Sequence, residues 1–363
     1  SASSSGKTAS ALLGRGASTR GFAQAVVAWQ RVHGRHGLPW QNTRDAYRIW
    51  LSEIMLQQTQ VSAVIPYYER FLQRFPDLAA LAAADEDDVL ALWSGLGYYS
   101  RARNLHRAAQ QIAERHAGRF PDAFDAVLEL PGVGRSTAAA ICVFAYGARH
   151  AILDGNVKRV FARCFGVAGY PGDTAVADAL WEHADRLVPA NDVEAYTQGL
   201  MDLGAGICTR TKPRCAECPL QPRCVAFKED AIARYPSPRP RKKLPQRRTR
   251  MLVLLHAGQV LLEKRPGSGI WGGLWSLPEI GDGEDVAALC KTRFGARIGA
   301  TKVLPTVAHG FTHFHLDIGP LRVTVQKVDA RAASPGVMWM SLEDAQGAAL
   351  PAPVRRILTG LEL

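Results

Sequence analysis

Four cysteines fall within seventeen residues of this chain, at Cys208, Cys215, Cys218 and Cys224. Thiolates at such short spacing can hold a metal, and four cysteine ligands suit either tetrahedral zinc or a cubane iron–sulfur cluster. Structural zinc sites usually contain two pairs of cysteines separated by roughly two to four residues, whereas only Cys215 and Cys218 form such a pair here. The spacing therefore favours an iron–sulfur cluster. Two disulfides are a further alternative, but the chain has seven cysteines, an odd number, and no recognisable secretory signal.

The periodicity of the sequence divides the chain into regions. Residues 21–230 repeat apolar residues at helical spacing and are punctuated by Pro and Gly, which predicts an all-α region of about ten short helices. Residues 231–249 are basic and rich in proline, which predicts a linker. Residues 1–20 are rich in Ser, Ala and Gly and contain no acidic residue, which predicts a disordered tail.

Residues 250–363 change to the pattern of an α/β domain. Short apolar runs are separated by turn residues, which is typical of strands and hairpins. The predicted elements are a hairpin over 251–262, strands over 303–307, 311–318, 321–328 and 337–340, and helices near 284–294 and 353–361. We therefore expect a multidomain protein with an all-α region followed by a smaller α/β domain.

The charge of the chain indicates the class of partner. Lys and Arg number 44 against 33 Asp and Glu, which gives a net charge of +11. Such a surplus indicates an acidic partner, and nucleic acid is the commonest one. Apolar residues make up 47% of the chain, enough for buried cores, but no apolar run is long enough to span a bilayer. We therefore expect a globular protein that binds nucleic acid and no membrane.

The segment 130–137 reads Leu-Pro-Gly-Val-Gly-Arg-Ser-Thr and leads into an alanine-rich stretch. This is the pattern of a tight turn that opens into a helix N-terminus, where backbone N–H groups can bind a phosphate. Gly132 and Gly134 would let the phosphate approach, because a Cβ would hold it away. Such a turn can also simply connect two helices, and the pattern alone leaves both interpretations open.

Two carboxylates have unusual neighbours. Glu53 has Trp50 one turn before it and Leu56 one turn after it in a predicted helix, and this partly apolar face would raise its pKa and suit a general acid. Alternatively, Glu53 lies at the edge of an apolar stripe and pairs with an arginine. Asp154 follows the apolar run 151–153 and suits the N-cap of the next helix, where the helix N-terminus would keep it ionised.

Such a pair of carboxyl groups can cleave an N-glycosidic bond. The departing base must be protonated, and negative charge must stabilise the sugar as it becomes cationic. The base must also leave the duplex first, because neither group can reach it while it is stacked. Together with the cysteine loop 208–224 and the glycine turn, the residues resemble the helix-hairpin-helix DNA glycosylases. In that superfamily, cysteines at this spacing hold a [4Fe–4S] cluster.

The resemblance narrows to the adenine DNA glycosylases, the MutY family, over nearly the whole chain from about residue 24. The segments that carry it are 38–40, 52–59, 95–99, 152–156 and the cysteine loop. It implies a base excision repair enzyme that hydrolyses the N-glycosidic bond of adenine mispaired with 8-oxoguanine or guanine in double-stranded DNA. It also implies a monomer with a [4Fe–4S] cofactor bound by Cys208, Cys215, Cys218 and Cys224.

The resemblance also implies roles for individual residues. Glu53 would protonate adenine at N7, and Asp154, supported by Asn156, would stabilise the sugar cation. The adenine pocket would be lined by Gln41, Leu56 and Gln198. The opposite base would be probed by Gln58, Thr59, Leu96 and Tyr98, with Tyr98 wedged into the base stack. The DNA backbone would be bound by Gly132, Gly134 and Arg135.

Ser136 distinguishes between two reactions. The similar endonuclease III family carries a lysine at this position that forms a Schiff base and cuts the strand, and a serine cannot do that chemistry. The resemblance therefore implies a monofunctional glycosylase with Ser136 in the substrate site. Two alternatives stay open: a bifunctional glycosylase and lyase of the endonuclease III type, and a non-catalytic DNA-binding redox sensor in which the carboxylates are structural.

Residues 250–363 resemble the MutT-like, or Nudix-like, domain by which that family recognises 8-oxoguanine. Gly273 and Glu279 keep the start of a Nudix box, but the stretch 287–290 reads Ala-Ala-Leu-Cys where metal-binding glutamates should stand, so we expect no pyrophosphatase activity. The triplet Phe311, Thr312 and His313 matches the family's Phe-Ser-His lesion-recognition loop, with threonine in place of serine. We expect a cytoplasmic location with the nucleoid in a bacterium, or a mitochondrial or nuclear one in a eukaryote.

Overall fold

The computed structural model describes residues 19–240, 244–329 and 335–361, and residues 1–18 of the predicted tail lie outside this range. Contacts divide the described chain into two compact units. The first comprises Ser1–Gln57 with Arg119–Pro240, and the second Gln58–Gly118 with Arg241–Leu363. Among the described residues, no helix is both long and apolar enough to cross a membrane.

Residues 21–230 form helices, as the sequence predicts. The linker predicted over 231–249 is shorter in the structure, because it contains a 3-10 turn at Ile232–Arg234 and the first four residues of a strand that begins at Gln246. In chain order the α-helices are α1 (Thr19–His33), α2 (Ala46–Leu56), α3 (Val61–Arg74), α4 (Leu78–Ala82), α5 (Glu86–Trp93), α6 (Ser100–Arg115), α7 (Phe124–Leu128), α8 (Arg135–Tyr146), α9 (Gly155–Phe165), α10 (Thr174–Leu187), α11 (Val193–Asp202) and α12 (Val225–Lys228). A π-helical turn, Leu203–Ile207, precedes the cysteine loop, and that loop contains 3-10 turns at Cys215–Glu217 and Gln221–Arg223. Helices α3 to α6 belong to the second unit.

The core of the first unit lies where α1, α9 and α11 pack together. The ring of Phe22 in α1 lies 5.9 Å from that of Phe161 in α9 and 6.5 Å from that of Tyr196 in α11. Helix α9 begins after the N-cap Asp154 and ends at Gly166, whose φ of 65° is the left-handed conformation typical of a helix C-terminus. The packing of α9 into this core fixes the position of its N-terminus.

The second unit contains a mixed sheet of eight described strands. They are β1 (Gln246–His256), β2 (Gln259–Lys264), β3 (Trp275–Ser276), β4 (Glu279–Ile280), β5 (Ala296–Val303), β6 (Val307–Gly310), β7 (His315–Val328) and β8 (Val337–Ser341). The main order is β3-β2-β1-β7-β5, with β4 paired to β1, β6 to β7 and β8 to β2. Only the β1–β7 pairing is parallel among these strands. Helices α13 (Val286–Phe294), α14 (Leu342–Gly347) and α15 (Ala352–Thr359) complete the predicted α/β fold.

Strand β7 differs from the prediction. The sequence predicts two strands, over 311–318 and 321–328, whereas the structure has one strand that continues through Gly319 and Pro320. A proline lacks the N–H group that a ladder bond needs. It is tolerated here because the antiparallel neighbour changes at this point, from β5, which ends opposite Leu321, to β6, which begins opposite Ile318.

Candidate active site

Helix α8 contacts both chain segments that carry the predicted catalytic carboxyl groups. It packs against α2, and Gln57, just after α2, donates a long hydrogen bond of 3.4 Å from its side chain to the carbonyl of Gly132 in the glycine turn. On the other segment, the N–H of Leu153 donates to Oγ of Ser136 at 2.9 Å. The first turn of α8 therefore holds the two segments in one site.

Glu53 has the electrostatics of a general acid. Burial, and to a smaller extent the nearby charge of Asp154, raise the pKa of Glu53 to about 8. Both causes act in the same direction, because each disfavours the negatively charged form of Glu53. No arginine of the described chain is among the causes, so the alternative of an ion-paired edge residue is not what the structure shows. At neutral pH this carboxyl group is mostly protonated.

Asp154 is the N-cap of α9, as its sequence position predicts. Its Oδ1 accepts hydrogen bonds from the backbone N–H groups of Asn156 and Val157, each at 2.8 Å. Burial raises the pKa of Asp154, and the two N–H donors and the positive charges on α9 oppose that rise. These donors favour the ionised form. Of the two carboxyl groups, Asp154 is therefore the better placed to carry the negative charge.

Asn156 is held by Arg159, one turn later on α9. Nη2 of Arg159 donates to Oδ1 of Asn156 at 2.9 Å and to the carbonyl of Gly204 at 2.6 Å, and its Nε donates to the carbonyl of Cys208 at 2.7 Å. Arg159 was not predicted as a site residue, although its spacing of three residues from Asn156 on a helix is a signal for such a contact. The guanidinium joins the start of the cysteine loop to the first turn of α9.

Gly204 packs against Asn156 and leaves no room for a side chain. A Cβ at Gly204 would lie 2.6 Å from the Cβ of Asn156 and 3.1 Å from its carbonyl carbon. We expect Gly204→Ala to displace Asn156 and to lower the free energy of unfolding by about 1–3 kcal/mol, measured by urea denaturation. Gly206→Ala is the matched control, because its Cβ would meet only the guanidinium of Arg214, at 3.9 Å. Equal losses in the two variants would contradict the account.

Gln41 and Gln198, predicted for the adenine pocket, are joined by one network in the first unit. The amide of Gln41 accepts from the N–H of Leu38 at 3.0 Å and donates to the carbonyl of Arg35 at 2.8 Å. Gln198 donates to Oδ1 of Asp202 at 2.9 Å, and Asp202 also accepts from Nε of Arg35 at 2.6 Å. Asp202 is only 4% exposed. The ion pair between Arg35 and Asp202, two residues that the sequence did not predict for the site, therefore ties the two amides together.

The glycine turn before α8 has the expected geometry. Gly132 has a φ of 79°, which favours glycine, and a Cβ at Gly134 would meet nothing within 4 Å. The guanidinium of Arg135, however, donates to both carboxylate oxygens of Asp185, at 2.7 and 2.8 Å, and lies 3.8 Å from the ring centre of Trp181. The turn leaves open space at Gly134, whereas Arg135 is already engaged within the protein.

The residues predicted to probe the opposite base lie in the second unit, around Arg101. Nη2 of Arg101 donates to Oγ1 of Thr59 at 3.1 Å, and its guanidinium lies 5.5 Å from the ring centre of Tyr98. Gln58 and Tyr98 have φ values of 58° and 51°. Leu96 is buried, but Tyr98 is 43% exposed, unusual for a large aromatic side chain. The structure therefore brings these four predicted residues together, and Leu56 stays with the carboxyl groups at the end of α2.

The triplet Phe311, Thr312 and His313 forms a turn and not the predicted strand. The N–H of Phe311 donates to the carbonyl of Phe314 at 2.8 Å, which closes the turn. The ring of Phe311 stacks on that of Phe314 at 4.4 Å and packs against Trp271 at 5.4 Å. Thr312 and His313 are exposed. The aromatic rings anchor the turn, and its two polar side chains face solvent.

No disulfide joins the four cysteines of the loop. Burial and the charges of the neighbouring cysteines raise the pKa of Cys218 to about 11, and Nη1 of Arg163 lies 3.4 Å from Sγ of Cys208. In the part of the chain that the structure describes, no three His, Cys, Asp or Glu side chains are arranged to hold a single metal ion. The mutual charge effects show that the four sulfur atoms lie near one another in this loop.

Comparison with known proteins agrees with both folds. Residues 51–186 match the family described as HhH-GPD superfamily base excision DNA repair protein, and residues 250–360 match the NUDIX domain. The adenine DNA glycosylase of Buchnera aphidicola (subspecies Acyrthosiphon pisum) is 37% identical over 93% of this chain and 96% of its own length. That of Mus musculus is 31% identical over 93% of this chain and 77% of its own length. A solved thermostable thymine-DNA glycosylase has a TM-score of 0.53 and 31% identity over 58% of this chain and 97% of its own.

Proposed function

Because the chain belongs to the adenine DNA glycosylase family, we propose that it removes adenine mispaired with 8-oxoguanine or guanine in double-stranded DNA. The family makes the protein a DNA glycosylase of base excision repair. What we propose beyond this is the base opposite the adenine, 8-oxoguanine or guanine, and the roles of the catalytic residues. The observation that supports the mechanism best is the unequal pair of carboxyl groups, one protonated at neutral pH and one held at a helix N-terminus.

The reaction proceeds on an adenine that has left the base stack. The carboxyl group of Glu53 donates its proton to N7 of adenine, the bond between the base and the sugar breaks, and the bonding electrons leave with the base. The carboxylate of Asp154 stabilises the cationic sugar that remains, and Asn156 and Arg159 keep Asp154 in position. A water molecule then adds to the sugar and loses a proton, which Glu53 in its ionised form can accept. The products are free adenine and an abasic site.

The adenine pocket is formed by Gln41, Leu56 and Gln198. Side-chain amides can donate and accept hydrogen bonds at once, so they can pair with the edge of an adenine base. In the structure both amides are held by the network of Arg35 and Asp202. A pocket whose polar groups are held in advance loses less conformational freedom when the base enters.

Recognition of the opposite base falls to the second unit. Gln58, Thr59, Leu96 and Tyr98 probe that base, and the exposed ring of Tyr98 covers the base step that opens when adenine leaves. The turn of Phe311, Thr312 and His313 recognises 8-oxoguanine through its two exposed polar side chains. Residues 21–230 thus carry the catalytic residues, and residues 250–363 form the lesion-recognition domain. The linker between them, predicted over 231–249, ends where β1 begins at Gln246.

Cys208, Cys215, Cys218 and Cys224 hold a [4Fe–4S] cluster. When bound, the cluster cross-links the loop and supplies positive charge to the four thiolates. Two arginines of α9 attach the loop to that helix: Arg163 through a hydrogen bond to the sulfur of Cys208, and Arg159 through one to its carbonyl.

The DNA backbone is bound at the glycine turn of Gly132 and Gly134. Arg135 can take part only when its ion pair with Asp185 opens. We propose that the protein acts as a monomer, in the cytoplasm with the nucleoid in a bacterium, or in the mitochondrion or nucleus in a eukaryote.

Ser136 makes the enzyme monofunctional. Its hydroxyl group accepts the N–H of Leu153 and has no amine with which to form a Schiff base. We expect the product strand to stay intact until it is heated with alkali, and borohydride to trap no covalent adduct between protein and DNA. Alkali-independent cleavage together with a trapped adduct would favour the bifunctional alternative, and tight binding without base release would favour the non-catalytic one.

A further inference from the structure

The turn between α5 and α6, residues 94–99, has a strained backbone that needs support. Gly95, Gly97 and Tyr98 have φ values of 97°, 76° and 51°, and a tyrosine rarely adopts the left-handed conformation without external contacts. Part of the support is internal to the helices, because the hydroxyl group of Tyr67 donates to the carbonyl of Ser94 at 3.0 Å.

The other part of the support comes from the C-terminal end of the chain. Nη2 of Arg355, on α15, donates to Oγ of Ser94 at 2.8 Å and to the carbonyl of Ala348 at 2.9 Å. Ser94 in turn donates to the carbonyl of Leu350 at 3.1 Å. The hydroxyl group of Tyr99 lies 3.5 Å from the same carbonyl and accepts from the N–H of Gly95 at 3.2 Å. These hydrogen bonds therefore join the segment 348–355 to both ends of the turn, at Ser94 and Tyr99.

The same helix also contacts the base of the lesion-recognition turn. Helix α15 packs against β6, which ends immediately before Phe311. The ring of His309, in β6, lies 4.7 Å from the ring of Phe311. Burial and the positive charge of Arg356, the residue after Arg355, lower the pKa of His309. Two adjacent arginines on α15 thus lie near the two turns: Arg355 near the turn 94–99, and Arg356 near the strand that leads into the turn 311–313.

We propose that Arg355 is a positioning residue that couples the lesion-recognition turn at 311–313 to the turn at 94–99 that carries Leu96 and Tyr98. The proposal rests on the function proposed above for these two turns. When 8-oxoguanine engages Thr312, the position of α15 is fixed, and the hydrogen bond from Arg355 to Ser94 then fixes the turn that holds Tyr98. The lesion would thereby favour the conformation in which Tyr98 fills the opened base step.

Arg355 does not provide the sole contact between the C-terminal domain and the helices of the second unit in the described chain. Nζ of Lys264 pairs with Asp87 at 2.7 Å, and Arg103 donates to the carbonyl of Gly272. Removal of the Arg355 side chain should therefore loosen the turn and leave the domain in place. This separates a positioning role from a purely structural one.

The test compares the full-length wild-type protein with Arg355→Ala, Arg355→Lys and Ser94→Ala. One measurement is amide hydrogen exchange in the peptide that contains residues 94–99. The other is the ratio of single-turnover rates on an A:8-oxoG duplex and an A:G duplex. We expect Arg355→Ala to speed the exchange and to lower the ratio about fivefold, the lower end of typical coupling between sites. Arg355→Lys should restore part of both effects, and Ser94→Ala should reproduce them in a protein that keeps the arginine.

Arg297→Ala is the matched control, because it removes the same charge from an exposed position on β5. Adding Thr312→Ala to Arg355→Ala should lower the ratio by less than the product of the two single effects, as expected for residues that act through one coupling. Unchanged exchange, faster exchange with an unchanged ratio, or an equal fall in the ratio for Arg297→Ala would each overturn the proposal. If the wild-type protein released no adenine from either duplex, the proposed function would fail, and the exchange measurement alone would still show whether Arg355 supports the turn.

Discussion

Glu53→Gln is expected to lower the single-turnover rate of adenine release about 10³-fold, within the range for loss of a general acid. Glutamine has nearly the same shape but no proton that it can give to the leaving base. Because burial and Asp154 raise the pKa of Glu53 to about 8, the acid is mostly protonated at neutral pH. The wild-type kcat/KM, which reports the free enzyme, should therefore fall as the pH rises through about 8.

Binding and pH dependence separate this role from a structural one. Glu53→Gln should bind an A:8-oxoG duplex as tightly as the wild type, and its residual rate should lose the fall near pH 8. Glu69→Gln is the matched control, because Glu69 is exposed on α3 and the same change there should leave the rate unaltered. A Glu53→Gln protein that kept the full rate would show that another group protonates adenine.

Asp154→Asn is expected to lower the rate about 10²- to 10³-fold, which is typical for the loss of one electrostatic stabiliser of the transition state. The substitution removes the negative charge but keeps an N-cap, because asparagine caps helices as well as aspartate does. Its side-chain oxygen can still accept the N–H groups of Asn156 and Val157, so α9 should stay intact. The variant therefore isolates the charge of Asp154 from its structural contact.

A pH profile and a control variant distinguish the loss of this charge from damage to the helix cap. Since the charge of Asp154 contributes to the raised pKa of Glu53, the residual activity of Asp154→Asn should fall at a lower pH than that of the wild type. Asp285→Asn is the matched control, because Asp285 caps α13 in the same way, accepting the N–H of Ala288 at 2.9 Å. If Asp154→Asn retained the wild-type rate, or if Asp285→Asn lost as much, the assigned role of Asp154 would be wrong.

Local features of the sequence predicted the fold well where they act over a few residues. The predicted N-cap position of Asp154 is found in the structure, where its Oδ1 accepts the N–H groups of Asn156 and Val157. The hairpin turn at 257–258 is also found, with φ values of 49° and 77° that fit a tight two-residue connection. Each of these depends on side chains or glycines within one turn of the chain.

Features that depend on distant pairing could not be read from the sequence. Strand β1 begins at Gln246, five residues before its apolar run at Met251, because it pairs with β7 along residues 246–255. Pro320 lies inside β7 for a similar reason, since only the order of the neighbouring strands shows that its missing N–H is tolerated. The hydrogen bonds between these strands cannot be predicted from the local sequence of the polar residues or of the proline.

In the candidate site too, residues within local motifs could be predicted, whereas contacts between distant residues could not. Residues in continuous motifs, such as Glu53 and Asp154, could be found from their neighbours and from family resemblance. Arg35 and Asp202 are 167 residues apart in the chain, and Arg355 and Ser94 are 261 apart. Charge and spacing give no signal for such pairs, because any surface arginine has a similar local sequence. Only the folded chain shows that they support residues of the site.

The most direct test of the account is a turnover assay on a duplex that contains one adenine opposite 8-oxoguanine. Free adenine in the reaction is measured by mass spectrometry, and abasic sites are measured by strand cleavage with hot alkali. The account predicts equal amounts of free adenine and alkali-labile sites with the wild-type protein, and little of either with Glu53→Gln. Intact adenine after incubation with wild-type protein that binds the same duplex would contradict it.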